Sequence, residues 1–112
     1  MKPFDIWYWK PPSWNDPHPV VIVSHPDRAS NKPVVDVVIC TSKRATREPD
    51  ERSEILLDQA DGLDWPTICK CDLIYAAPRG EITHRKGHVS EARRSQLIRK
   101  IIASHNWPAV LV

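Results

Sequence analysis

Residues 18–42 read HPVVIVSHPDRASNKPVVDVVICTS, and this stretch decides the fold. Val20, Val21, Ile22 and Val23 are all branched at Cβ, and Pro19 and Pro26 bound the run. Val34 to Cys40 is a second run of the same kind, interrupted by Asp36. Branched side chains lose rotamer freedom in a helix and pack well on a pleated surface, so both runs read as buried strands. Between them, His25 to Pro33 is polar and proline-bounded, which reads as a loop.

Working outward, Phe4 to Trp9 is a short aromatic run that suits a strand, and Lys10 to Pro17 is a loop rich in proline. On the other side, Ser42 to Ser53 mixes both charge signs and predicts a long mobile loop. Glu54 to Leu57 predicts a short strand, Asp61-Gly62 a turn, and Thr67 to Tyr75 a further strand. Ala76 to Lys86 predicts a turn with a short strand over Glu81 to His84. Ser90 is suited to cap a helix whose Leu97, Ile98, Ile101 and Ile102 form an apolar stripe, with Pro108 as its stop. This order predicts a mainly β chain: a small, strongly bent antiparallel sheet or barrel with a C-terminal helix.

The length of 112 residues suits one domain spanning residues 1–112. Apolar residues make up 41%, which argues against disorder of the whole chain. Eleven prolines argue against a bundle of long helices. No apolar run approaches the roughly 18 residues of a membrane helix, and no membrane association is expected. The N-terminus does not read as a signal peptide, because Lys10 and Pro11 follow Trp9 at once. Cys40, Cys69 and Cys71 form an odd set with a C-x-C spacing, which reads as buried reduced thiols in a cytoplasmic protein rather than a metal site. A net charge of +2 does not announce nucleic-acid binding by itself.

Several clusters could carry chemistry. In Cys69-Lys70-Cys71-Asp72, strand alternation puts Lys70 and Asp72 on one face and the thiols on the other. A cation beside a carboxylate can serve phosphoryl chemistry, although two such neighbours are also an ordinary surface ion pair. Thr41 and Ser42 end a buried strand and can hold a phosphate or cap the chain. His18 precedes the second strand and can act as acid, base or phosphate ligand. Trp7, Trp9 and Trp14 flank the first loop and can stack on unpaired bases or anchor the core. Arg79, Arg85, Lys86, Arg93, Arg94, Arg99 and Lys100 outnumber the acidic residues of their stretch, a pattern that attracts phosphates but also suits a solvated helix face.

Taken in order, these pieces resemble the PemK/MazF family of toxins. Phe4-Asp5-Ile6-Trp7 is similar to the family's G-(D/E)-I-W, with Phe4 in place of Gly. His18-Pro19-Val20-Val21-Ile22-Val23-Ser24 resembles its second strand, Ile39-Cys40-Thr41-Ser42 its P-(I/V)-T-S motif, and Leu63 to Ile74 its R-C-D strand. Lys86-Gly87-His88-Val89-Ser90 resembles the K-G-x-(L/V)-S that precedes the last helix. Beyond Phe4, the chain departs from the family at three places: His18 and Lys70 stand where the family has Arg, and Leu73 where it has Gln.

The resemblance implies an SH3-like barrel and a cofactor-free, metal-independent endoribonuclease acting on single-stranded RNA. It further implies a cytoplasmic homodimer inhibited by a cognate antitoxin protein. Carried onto this chain, it makes His18 and Asp72 the acid–base candidates, Lys70 the phosphate cation, and Thr41 and Ser42 the phosphate positioners. Trp14, Ser42, Lys43, Arg44, Arg79, Arg85 and Lys86 become candidate RNA contacts. Arg and Lys are not interchangeable at a bidentate phosphate contact, so a second reading stands beside the first: a family module with weak or no catalysis that binds RNA or a protein partner.

Overall fold

A computed structural model describes residues 1–108. The two valine-rich runs form β2 (His18–Ile22) and β3 (Val34–Cys40), which pair antiparallel with Val21 opposite Val38. Both are covered on both faces. Val20, Ile22, Val35 and Val37 face one apolar cluster, and Val21, Val38 and Cys40 the other. That double burial explains why neither run alternates with polar residues.

Around this pair lie β1 (Asp5–Trp9), β4 (Glu54–Leu57), β5 (Thr67–Pro78) and β6 (Ile82–His88), in the order β4-β5-β3-β2-β1-β6. All five pairings are antiparallel. The segment expected as a loop between β2 and β3 contains a short helix, α1 (Pro26–Asn31). The His25 ring accepts from the Asp27 N–H at 3.1 Å, and Pro26 sits where a helix start tolerates it. β5 runs three residues past its expected end at Tyr75, and β6 runs on to His88. The C-terminal helix, α2 (Glu91–Ser104), ends four residues before Pro108. Leu97 and Ile101 bury against Ile6, Leu57 and Cys71, while Ile98 stays 43% exposed.

The sheet is not closed into a barrel, because the edge strands β4 and β6 do not pair with each other. The gap is bridged by a backbone contact instead. After β4, a 3₁₀ turn (Gln59–Asp61) ends at Gly62, whose φ of +92° requires glycine. A Cβ on Gly87 of β6 would overlap the Asp61 carbonyl and press on the Gly62 Cα. The fully buried Asp61 carboxylate completes the junction. It accepts from the Ser90 N–H at 2.8 Å, the Asp58 N–H at 2.9 Å and the Arg93 guanidinium at 2.6 Å. Arg93 also grips Asp58 with two bonds of 2.7 and 3.0 Å.

The polar segment 42–53 is tied down. Arg47 makes a bidentate pair with Glu54 at 2.7 and 2.9 Å, and the Asp50 N–H reaches the same carboxylate at 2.7 Å. These donors hold the Glu54 carboxyl at about 2, well below its ordinary 4.5, with the Arg47 hydrogen bonds as the main cause. No helix among the described residues is long and apolar enough to cross a membrane.

Candidate functional site

β2, β3 and β5 bring three of the expected catalytic residues to one cleft. His18 opens β2, Thr41 directly follows β3, and Lys70 lies on β5 opposite Ile39. Together with Trp14, Tyr75 and Leu73 they line a cleft of about 170 Å³. The His18 ring packs edge-on against Trp14, centroids 4.8 Å apart. Its Nδ1 lies 3.3 Å from the Cys40 carbonyl. A carbonyl only accepts, so Nδ1 carries the hydrogen, and Nε2 is the basic nitrogen of the neutral ring. Lys70 has no ion-pair partner among the described residues, and no carboxylate lines the cleft. The Thr41 hydroxyl accepts from the Ile68 N–H at 3.2 Å and lies 3.3 Å from the Lys43 carbonyl, to which it donates.

Asp72 is not in the cleft. Opposite Val38, β5 swells: Lys70 pairs with Ile39 and Tyr75 with Val37, so five steps on β5 match two on β3. Asp72, Leu73 and Ile74 lie in this bulge, all exposed, and of the three only Leu73 lines the cleft. Strand alternation holds as far as residue 72, with Cys69 and Cys71 buried and Lys70 and Asp72 exposed, but Asp72 stands in the bulge and does not line the cleft. The three thiols are free and buried. Neighbouring thiols and burial push those of Cys69 and Cys71 far up, which makes them inert at neutral pH.

The expected RNA contacts divide. Lys43 and Arg44 are exposed beside Thr41. Arg79 is spent on structure: its guanidinium donates to the carbonyls of Arg28, Ala29 and Lys32 at 2.7–2.9 Å, holding the end of α1. Arg85 lies 3.4 Å from the Asp5 carboxylate, and Lys86 pairs with Asp64 at 2.8 Å. Trp9 is core, stacked obliquely on Trp14 at 5.3 Å and donating to Glu81 at 3.1 Å. Ser42 faces a second, shallow recess that shares Thr41 with the cleft and includes Tyr8, Asp64 and Trp65. Sequence reasoning missed Tyr75 and Trp65. Tyr75 ends the strand run, and a Trp directly before a proline in a loop was the sequence signal of Trp65.

Similarity to known proteins follows the same geometry. The family model of PemK-like, MazF-like toxins of type II toxin–antitoxin systems matches residues 2–105. Among solved structures, the Mycobacterium tuberculosis toxin MazF-mt6 superposes with a TM-score of 0.76 at 17% identity, covering 93% of this chain and 98% of that one. A mycobacterial endoribonuclease in complex with its cognate antitoxin gives 0.79 at 17% identity, covering 98% and 99%. A comparison with curated protein sequences gives no match. At these identities the solved structures speak for the fold, and the family model speaks for the sequence. This chain belongs to the PemK-like, MazF-like toxins of type II toxin–antitoxin systems.

Proposed function

We propose that residues 1–112 are one domain with endoribonuclease activity that cuts single-stranded RNA through attack by its own 2′-hydroxyl. The observation that carries this reading is the convergence of His18, Thr41 and Lys70 on one cleft beside Trp14. The His18 Nε2 takes the 2′-hydroxyl proton, and the freed oxygen attacks the adjacent phosphorus. Lys70 meets the charge that gathers on the phosphorane oxygens, and the Thr41 hydroxyl turns its hydrogen from the Lys43 carbonyl to one of them. The 5′-oxygen leaves with a proton from the Lys70 ammonium or from solvent, giving a 2′,3′-cyclic phosphate and a 5′-hydroxyl end. The nucleophile belongs to the substrate, so the chemistry asks for no metal-activated water, and DNA lacks the reacting group. Trp14 offers a stacking face, and Ser42, Lys43 and Arg44 offer phosphate contacts. Arg79 is committed within the fold and drops out of this role.

The toxin works in the cytoplasm as a homodimer and is silenced by a cognate antitoxin protein. Support comes from family membership and from the antitoxin complex of the mycobacterial endoribonuclease.

The test is incubation with a long single-stranded RNA in EDTA, beside H18A. Cleavage by the parent that leaves 5′-hydroxyl ends is expected, with H18A slower by about 10²–10⁴-fold. Full activity in H18A removes His18 from the chemistry. The position of Asp72 outside the cleft favours one second reading, a toxin-family module that binds RNA or protein without cutting. Binding without cleavage across many sequences would select it.

A further inference from the structure

The shallow recess beyond Thr41 holds two features that phosphate binding leaves unexplained. The first is an exposed carboxylate. Asp64 has a 59% exposed side chain on the rim of a surface that must bind a polyanion. The carboxylate's charge toward phosphates is offset by Lys86, paired with it at 2.8 Å, and its exposed oxygen lone pairs stay open to hydrogen-bond donors such as those on a base edge. It is also held in place. Lys86 Nζ donates to Oδ1 at 2.8 Å, and the Gln59 side-chain amide donates to the Asp64 backbone carbonyl at 3.3 Å. The second feature is Trp65, 36% exposed beside it. The Ala45 N–H donates to the Pro66 carbonyl at 2.8 Å, which keeps the Lys43–Arg44 segment alongside. The recess has a volume of only about 30 Å³, so a ring lies over Trp65 rather than sinking in.

Resting on the RNA reading above, we propose that Asp64 and Trp65 form a nucleobase subsite that selects guanine next to the phosphate held at Thr41. Trp65 stacks on the base, and the Asp64 carboxylate reads its edge. Guanine alone presents two adjacent donors, N1–H and the N2 amino group, matched to two carboxylate oxygens. Adenine, cytosine and uracil each set an acceptor beside their donor, and that acceptor faces the carboxylate repulsively. Thr41 lines both the cleft and the recess, so a base at Trp65 lies beside the phosphate that His18 and Lys70 address.

The test measures binding apart from cutting. The H18A chain is titrated by fluorescence anisotropy into labelled hexauridine carrying one guanosine, inosine, adenosine or cytidine. The guanosine strand is expected to bind on the order of tenfold tighter than the adenosine, cytidine and all-uridine strands, with inosine between because it lacks the N2 amino group. Adding D64N should abolish that preference. Adding W65A should weaken every strand on the order of tenfold, and W65F should keep the ranking. A guanosine preference that survives D64N, or no preference in H18A, overturns the subsite. RNA cutting by the parent chain without a guanosine preference overturns the subsite alone. Guanosine-selective binding that D64N abolishes, in a parent chain that cuts no RNA, supports the subsite and overturns the nuclease reading.

Discussion

In the proposed mechanism Lys70 supplies charge and His18 moves the proton, so the two answer to substitution differently. K70Q should lower kcat/KM for RNA by about 10²–10³-fold, whereas K70R, which keeps the cation, should retain more activity than K70Q. Arg93 carries a different burden. It is the only side chain among the described residues that meets the buried Asp61 carboxylate, and the two aspartates hold its guanidinium firmly protonated. R93A leaves that carboxylate with two backbone donors and no counter-charge, so urea unfolding should report a loss of about 2–4 kcal/mol. The face that Lys70 takes was legible from alternation along the strand. The fates of Arg79, Arg85 and Lys86 were not. A count of cations does not reveal the acceptors that bind them: Arg79 meets carbonyls of α1, and Arg85 meets Asp5, both some 50 or more residues away in the chain.

Elements behaved according to how local their causes are. β2 and β3 were legible because branched side chains state their preference within strands of five and seven residues, although β2 begins at His18 and ends at Ile22 where the run suggested Val20 to Val23. α1 was not, because six residues opened by proline and capped by a histidine ring resemble a loop until a hydrogen bond is seen. The β5 bulge was invisible for the same reason, since nothing in Asp72-Leu73-Ile74 announces a mismatch with β3. The segment before β4 carries a pH-dependent link. The Glu54 carboxyl lies near 2 in the folded chain against an ordinary 4.5, so folding favours its ionised form. That contribution is complete above about 4.5 and is lost as pH falls toward 2. Urea midpoints of the parent should fall across this window, and those of E54Q should fall less steeply. On α2, the fully buried Leu97 anchors the helix to the sheet, and L97A should cost about 2–5 kcal/mol in the same assay.

At the scale of the molecule, the sheet stays open and a glycine contact does the joining. Gly87 has no room for a side chain against Asp61 and Gly62, so even G87A must push the turn and β6 apart. A loss of about 2 kcal/mol or more on urea unfolding is expected, against little change for G80A, where a Cβ meets open space. The strand order has a further consequence, for the life of the chain on the ribosome. β1 and β6 are the first and last strands among the described residues, yet they lie side by side with Asp5 opposite His88. Every cleft residue, from Trp14 to Tyr75, emerges during synthesis before β6 exists to cover β1. The nascent protein therefore holds β1 with one uncovered edge until β6 is made. Such distant pairing closes slowly, within about milliseconds to seconds for topologies of this kind. The order of synthesis thus places the closing of β1 against β6 after all the cleft strands are made.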